Sequence, residues 1–199
     1  MHNRKIKISK LFIIGSLFIF SNIYSQNKDS LYRVNLDVGL GYGIHITDLE
    51  FEGLQTQQGL FSFRIMWQPE HHLRVGIESG FLALYSLESE LFNSTFGSTD
   101  VFLTLQAIPI MFVSITEVAK NVEVIAGIGG SILISEVNSF DNNVRSTSWN
   151  NTYEFGVSYL LPVSKTLKLG GEFKSFYFSR LENFHLSLQI AIKYDFYSY

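Results

Sequence analysis

The sequence predicts an all-β protein, an eight-stranded antiparallel up-and-down transmembrane β-barrel that follows a cleavable signal peptide. Three observations favour this class. Apolar and polar residues alternate along most of the chain, and nowhere more clearly than in residues 184–196. A strand places successive side chains on opposite faces, so such a segment has one apolar and one polar face. The connections between these segments alternate in length, and no stretch after the signal peptide approaches the ~20 apolar residues of a membrane-spanning helix.

Eight segments follow this strand pattern, although residues 101–116 are apolar on both faces and leave their register open. The segments are 34–46, 61–68, 73–85, 101–116, 122–134, 152–161, 167–177 and 184–196. The connections between them are long, short, long, short, long, short and medium. This rhythm is typical of an up-and-down barrel with short periplasmic turns and longer outer loops. A β-sandwich with Greek-key crossovers gives no reason for it.

The N-terminal residues have the features of a secretory signal peptide. Basic residues at positions 4, 5, 7 and 10 precede an uncharged apolar segment over 11–20, and Ser25 precedes a suitable cleavage point. The apolar segment is too short to be a comfortable membrane anchor. We therefore predict a signal peptide over 1–25, a periplasmic N-terminal stub over 26–33 and one outer-membrane β-barrel domain over 34–199.

Composition excludes several classes of function. The chain has no Cys, which rules out a disulfide framework, thiol catalysis and cysteine-based metal sites. Charged residues make up 17% of the chain, below the ~25% of ordinary soluble domains. The formal net charge is −3 and no basic cluster follows the signal peptide, so we expect no nucleic-acid partner.

The residue types on the two faces indicate which of them meets lipid. The polar face is rich in glycine, which weakens a strand turned to water but fits the narrow interior of an eight-stranded barrel. The other face carries Phe, Leu, Ile, Tyr and Trp, which are too bulky for that lumen. We therefore expect the apolar face to lie in lipid. A soluble lipocalin-like ligand binder is the alternative that alternation alone leaves open.

Aromatic residues near the strand ends favour the membrane interpretation. Rings that straddle lipid headgroups and water form two girdles around such barrels. The predicted periplasmic girdle contains Trp67, Tyr194 and Phe196, and the predicted outer girdle contains Tyr85, Trp149 and Tyr177.

Charged residues on the inward face nearly balance in sign. An unpaired charge in a confined, poorly hydrated lumen is costly, so we predict that these residues form a cross-barrel network that plugs the lumen and leaves no continuous pore. The predicted network consists of Asp37, Arg64, Arg74, Glu78, Glu123, Glu154, Lys168, Glu172, Lys174 and Lys193.

Several segments resemble the small outer-membrane β-barrel proteins of Bacteroidota, the PorT-like family. They are GLGYGIHIT (39–47), LQAIPIMFVSIT (105–116), VIAGIGGSILIS (124–135), FGVSYLLPVSKTLKLGGEFKSFYFS (155–179) and NFHLSLQIAIKYDF (183–196). The resemblance covers nearly all of the chain after the signal peptide and implies a barrel in the cell outer membrane. It consists of glycine and hydrophobic patterns, which specify no activity. Some members are linked to secretion and gliding machinery. Pro109 would remove a ladder hydrogen bond, so we expect a bulge there.

Two groups of residues are candidates for chemical sites. Glu70, His71 and His72 form an acid–histidine cluster, but zinc normally needs three or four protein ligands and turn polarity explains the cluster better. His45 and His185 should face inward from the first and last strands, where an outer-membrane lipid-modifying enzyme could use them. No G-x-S-x-G motif accompanies them. We predict no catalytic, metal or cofactor-binding residue and no enzymatic activity.

The sequence therefore predicts a monomeric integral outer-membrane protein that acts as a structural or loop-mediated interaction protein. Its expected contacts are outer-membrane lipid, the barrel-assembly machinery during biogenesis and an envelope protein partner. The first alternative is an accessory subunit of an outer-membrane secretion or gliding assembly. A lipid-modifying enzyme and a soluble ligand binder follow.

Overall fold

A computed structural model describes residues 32–47, 49, 51, 53–69, 73–93, 97–139 and 142–198. The predicted signal peptide and most of the predicted stub lie outside these residues. Throughout the described part all regular elements are strands, and it holds no helix long and apolar enough to cross a membrane. The strands are β1 Arg33–Ile46, β2 Leu54–Gln55, β3 Gln57–Gln68, β4 Leu73–Asn93, β5 Gly97–Ala119, β6 Val122–Ser139, β7 Asn142–Pro162, β8 Leu167–Phe178 and β9 Asn183–Ser198.

The strands form one closed antiparallel sheet. Around the ring the order is β4-β3-β1-β9-β8-β7-β6-β5, and pairing of β5 with β4 closes it. The two-residue strand β2 lies outside the ring and pairs with Ser86 and Leu87 of β4. The ring therefore has eight long strands, and the predicted all-β, antiparallel up-and-down barrel is confirmed.

The alternation separates an apolar outer surface from a closely filled interior. On β1, for example, the inward Asp37 is 2% exposed whereas the outward Leu40 is 68% exposed. The outward side of β9 is similarly open at Leu188 and Ile190. Soluble monomers rarely expose contiguous apolar patches of more than a few hundred Å², so a belt of this kind requires an apolar environment around it.

Two apolar clusters fill parts of the lumen. We call the end of the barrel that holds the start of β1 the terminal end, and the opposite end the loop end. The cluster toward the loop end contains Leu60, Leu82, Leu84, Leu105, Ala107, Leu133, Phe176 and Phe178, with Tyr85 and Leu181 packed against it. The second cluster contains Met66, Met111, Val113, Ile115 and Ile125. Strand β5 is apolar on both faces because its inner face contributes to both clusters.

The predicted bulge at Pro109 is wrong. The pairing of β5 with β4 keeps one register from Ser79–Ile110 to Leu82–Ala107, although no pair is formed between them. Pro109 has no backbone N–H to donate, so the ladder has a local gap there. No extra residue is inserted into the strand. The register of these two strands shifts further on, between Ala83 and Tyr85.

Two hairpins are much longer than the sequence pattern indicates. Residues 86–98 and 135–148 have the composition of polar loops, yet the pairing of β4 with β5 continues to Asn93–Gly97 and that of β6 with β7 to Ser139–Asn142. Beyond the barrel both faces of a hairpin can meet water, so the apolar–polar alternation that marks a half-buried strand disappears. These strands nevertheless pair, and β4 to β7 extend beyond their neighbours at the loop end.

Replacing Gly41 with Ala should destabilise the barrel because β1 and β9 approach closely there. A Cβ at Gly41 would fall on the carbonyl oxygen of Leu188, which is backbone and has little freedom to move. We expect a loss of about 1–3 kcal/mol in the free energy of unfolding, as for other overpacked sites. Urea titration, with gel mobility of unboiled samples as the measure of folding, tests this.

Gly171→Ala is the matched control. A Cβ there would meet nothing within 4 Å, so the free energy of unfolding should change by less than about 0.5 kcal/mol. Equal losses in the two variants would contradict the packing argument.

Candidate functional site

Arg64 of β3 is the centre of an ion network inside the barrel. Its buried guanidinium contacts three carboxylates on three other strands. Its Nε lies 3.0 Å from Asp37 Oδ2 and its Nη1 lies 3.1 Å from Glu78 Oε2. Its Nη2 donates to Glu172. The planar guanidinium offers five N–H donors in fixed directions, so a single Arg can join all three acceptors.

Lys174 of β8 is a second centre, beside the first. Its ammonium donates to Glu78, and it lies 3.1 Å from Glu172 Oε1 and 3.4 Å from Glu154 Oε1. Glu78 and Glu172 each contact both Lys174 and Arg64. The two cations and two shared carboxylates therefore form a compact unit that joins β3, β4 and β8.

A third group of charges lies beside Asp37. Arg74 Nη1 is 3.4 Å from Asp37 Oδ2, and Arg74 Nη2 donates to Glu123. Lys193 Nζ lies 3.3 Å from the other oxygen of Glu123. Because Asp37 contacts both Arg64 and Arg74, the network is continuous from β6 to β8 across the lumen.

Neutral side chains complete the network, and the predicted network, which contained only charged residues, did not include them. The Gln189 amide donates to Glu172 Oε1 and accepts a hydrogen bond of 3.0 Å from Ser62 Oγ. Ser158 Oγ donates to Glu123 at 3.5 Å. All three residues share the inward parity of their strands, so the pattern that found the charges could also have found them. Buried ions need such partners because their remaining hydrogen-bonding capacity is otherwise unmet.

The buried charges do not balance fully. Five carboxylates, on Asp37, Glu78, Glu123, Glu154 and Glu172, share the interior with four cations, on Arg64, Arg74, Lys174 and Lys193. Lys168 is the remaining residue of the predicted network, and it makes no ion pair within 4 Å in the described part of the chain. It stands opposite Lys193 in the register of β8 and β9.

Glu154 is the carboxylate with the weakest set of partners. It lies at ion-pair distance from Lys174, but neither of its oxygens takes a hydrogen bond in the structure. Glu172, by contrast, contacts Arg64, Lys174 and Gln189. Glu154 is therefore the least compensated carboxylate of the network.

The aromatic residues predicted for the girdles fall into two groups. Trp67, Trp149, Tyr194 and Phe196 are exposed on the outer surface, and Tyr177 lies 4.9 Å, centroid to centroid, from Phe184. Tyr85 differs from the expectation. The register shift between Ala83 and Tyr85 turns its ring inward, 5.9 Å from the ring of His45.

A pocket of about 280 Å³ lies beside Tyr85 at the loop end of the lumen. It is lined by His45, Thr47, Leu49, Tyr85, Leu105, Leu181 and Asn183. His45 and His185 are directly paired between β1 and β9, and their ring centroids are 6.2 Å apart. Both histidines are buried, and none of their four ring nitrogens has a hydrogen-bond partner among the residues that the structure describes.

The other candidate cluster, Glu70, His71 and His72, lies outside the described residues. Within the residues that the structure does describe, no group of three or more His, Cys, Asp or Glu could hold a metal ion.

The chain has the fold of small outer-membrane β-barrel proteins. Ail, the attachment invasion locus protein of Yersinia pestis, matches with a TM-score of 0.55 at 8% identity, over 83% of this chain and 99% of its own. A major outer membrane protein from Thermus thermophilus matches with a TM-score of 0.52 at 14% identity, over 82% and 99% of the two chains. Identities this low show a shared fold and carry no information on activity.

No protein-family model and no curated protein matches the sequence. The resemblance to PorT-like proteins therefore stays a prediction.

Substitution of single carboxylates should distinguish strongly from weakly held members of the network. Glu172→Gln removes a charge that faces both Arg64 and Lys174, so the free energy of unfolding should fall by roughly 3–5 kcal/mol, as for other broken buried ion pairs. Glu154→Gln, the matched control, changes the least compensated carboxylate and should alter the free energy of unfolding by less than about 1 kcal/mol. Urea titration of both variants in the same detergent measures this difference, and a larger loss for Glu154→Gln would contradict the assignment.

Proposed function

We propose that this chain is an integral protein of the outer membrane, exported by its N-terminal signal peptide, with a plugged lumen and with structural or interaction roles at its loop end. One observation carries the proposal. A closed sheet with an apolar outer surface surrounds an interior of buried, mutually paired charges. In a bilayer every backbone polar group must be satisfied within the protein, and a closed barrel meets that requirement.

The network supports a plug in place of a pore. Water-filled porins have wider barrels, whereas the interior of an eight-stranded barrel is just wide enough for side chains to fill. Here Arg64 and Lys174 span that interior, and an apolar cluster fills it further toward the loop end. An ion crossing this lumen would have to displace several paired charges and the apolar cluster.

The long hairpins support interaction as the role of the loop end. About 9–11 tilted residues span the bilayer in a barrel strand. Strands β4, β5 and β7 have 21, 23 and 21 residues, so roughly ten residues of each extend beyond what the membrane requires. The same extension favours the second candidate function, an accessory subunit of a secretion or gliding assembly, because it offers a partner a paired and ordered surface.

Membrane fractionation with heat-modifiable gel mobility tests the location. The chain should be recovered with outer membranes, and unboiled samples should migrate differently from boiled ones because the closed barrel resists detergent unfolding. The soluble periplasmic fraction of the same cells serves as the control. Recovery of the folded chain in that fraction would support the soluble lipocalin-like alternative and overturn the proposal.

Planar-bilayer recording tests the plug. The purified chain should insert without producing large, stable conductance, since paired charges and apolar side chains fill its lumen. A water-filled porin reconstituted in the same way provides the positive control. Steady conductance that scales with the amount of inserted protein would show an open lumen.

A further inference from the structure

We propose that the loop-end pocket beside His45 binds a small, uncharged molecule with an aromatic body and a hydroxyl group. This inference goes beyond the proposed structural role of the barrel and does not depend on a partner protein. It starts from an unusual feature of the pocket, a buried imidazole that lines a cavity and has no hydrogen-bond partner in the described part of the chain.

The two histidines identify the polar part of the ligand. His45 is 2% exposed and His185 is 0% exposed, and a buried polar group without a partner costs about 1–3 kcal/mol. A neutral imidazole has one nitrogen that donates and one that accepts. A hydroxyl group both donates and accepts, so it can pair with whichever nitrogen of His45 faces the pocket.

The rest of the lining identifies the body of the ligand. Leu49, Leu105 and Leu181 supply apolar walls, and the ring of Tyr85 is tilted by 32° to that of His45. Ligand pockets of this character are mostly apolar with a few placed polar groups. A volume of about 280 Å³ lies just below the usual range for drug-sized ligands, so it suits a single-ring molecule.

The chemistry of the described lining disfavours ions. None of its seven residues carries a carboxylate, ammonium or guanidinium group, so none of these described residues would offer a charged ligand a counter-charge. Two histidines also fall short of the three or four protein ligands that zinc normally takes. The ring of His45 is 6.3 Å from that of Phe178, a member of the apolar cluster toward the loop end.

Gly43 keeps the second histidine in position. A Cβ at Gly43 would fall on the Nε2 atom of His185, so only glycine on β1 leaves room for this ring. His185 in turn lies beside His45 and Phe176, with ring centroids 6.2 Å and 6.4 Å away. The imidazole of His45, which lines the pocket, thus packs beside the imidazole of His185.

A titration with 4-fluorophenol, followed by ¹⁹F NMR, tests the inference. The full chain is reconstituted in lipid nanodiscs, and empty nanodiscs correct for partition of the probe into lipid. We expect saturable binding at one site per chain. The charged analogues 4-fluorobenzoate and 4-fluorobenzylammonium should bind at least tenfold more weakly.

Variants locate the site. His45→Phe keeps a ring of similar size but removes both nitrogens, so the dissociation constant should rise about tenfold, which corresponds to one hydrogen bond. Leu181→Trp fills the cavity without altering either histidine and should abolish binding. Trp149→Phe, on the outer surface, is the control and should bind as the natural chain does. Heat-modifiable mobility confirms that each variant is folded.

Four results would overturn the inference. The first is that 4-fluorophenol partitions into loaded nanodiscs no more than into empty ones, and the second is that its affinity is unchanged in both His45→Phe and Leu181→Trp. The third is that a charged analogue binds as tightly as 4-fluorophenol. The fourth is a stoichiometric shift of the His45 ¹⁵N resonances on addition of Zn²⁺. The last result would identify a metal site in place of a site for a hydroxylated ring.

Discussion

The contact between Arg64 and its three carboxylates is the interaction on which the interior of this barrel depends. An arginine taken out of water loses several kcal/mol of hydration, and only well-placed counter-charges offset that loss. Asp37, Glu78 and Glu172 supply them from β1, β4 and β8, so the pairing requires the ring to be closed. The edge strands obtain hydrogen-bond partners, and the buried charges obtain counter-charges, only in the closed ring. Closure and charge pairing are therefore coupled.

This coupling divides the molecule into regions with different tasks. The paired charges and apolar clusters occupy the lumen, and apolar side chains cover the outer surface. In the proposed function, recognition takes place at the loop end, where strands β4 to β7 extend and where the pocket beside His45 lies. The same proposal makes the plugged barrel a support for the features at its loop end.

Much of this organisation could be predicted because a strand has a period of two. Parity along β1, β4 and β8 is sufficient to separate inward charges such as Asp37, Glu78 and Lys174 from outward apolar residues. Parity failed where the backbone departs from that period. A register shift before Tyr85 turned a residue expected at the outer girdle into a wall of the pocket. It also failed in the long hairpins, where the sequence lacks the apolar–polar alternation of a half-buried strand.

The sequence by itself determined the architecture, the direction of each face and most members of the lumen network, because these follow from local alternation and from the cost of burying charge. Only the tertiary structure decided which charges meet. The Arg64–Glu172 contact joins residues 108 positions apart, and its existence depends on the register of every strand around the ring. The pocket has the same origin. Closure of the predicted barrel already makes the first and last strands neighbours, but only their register in the structure sets His45 directly opposite His185.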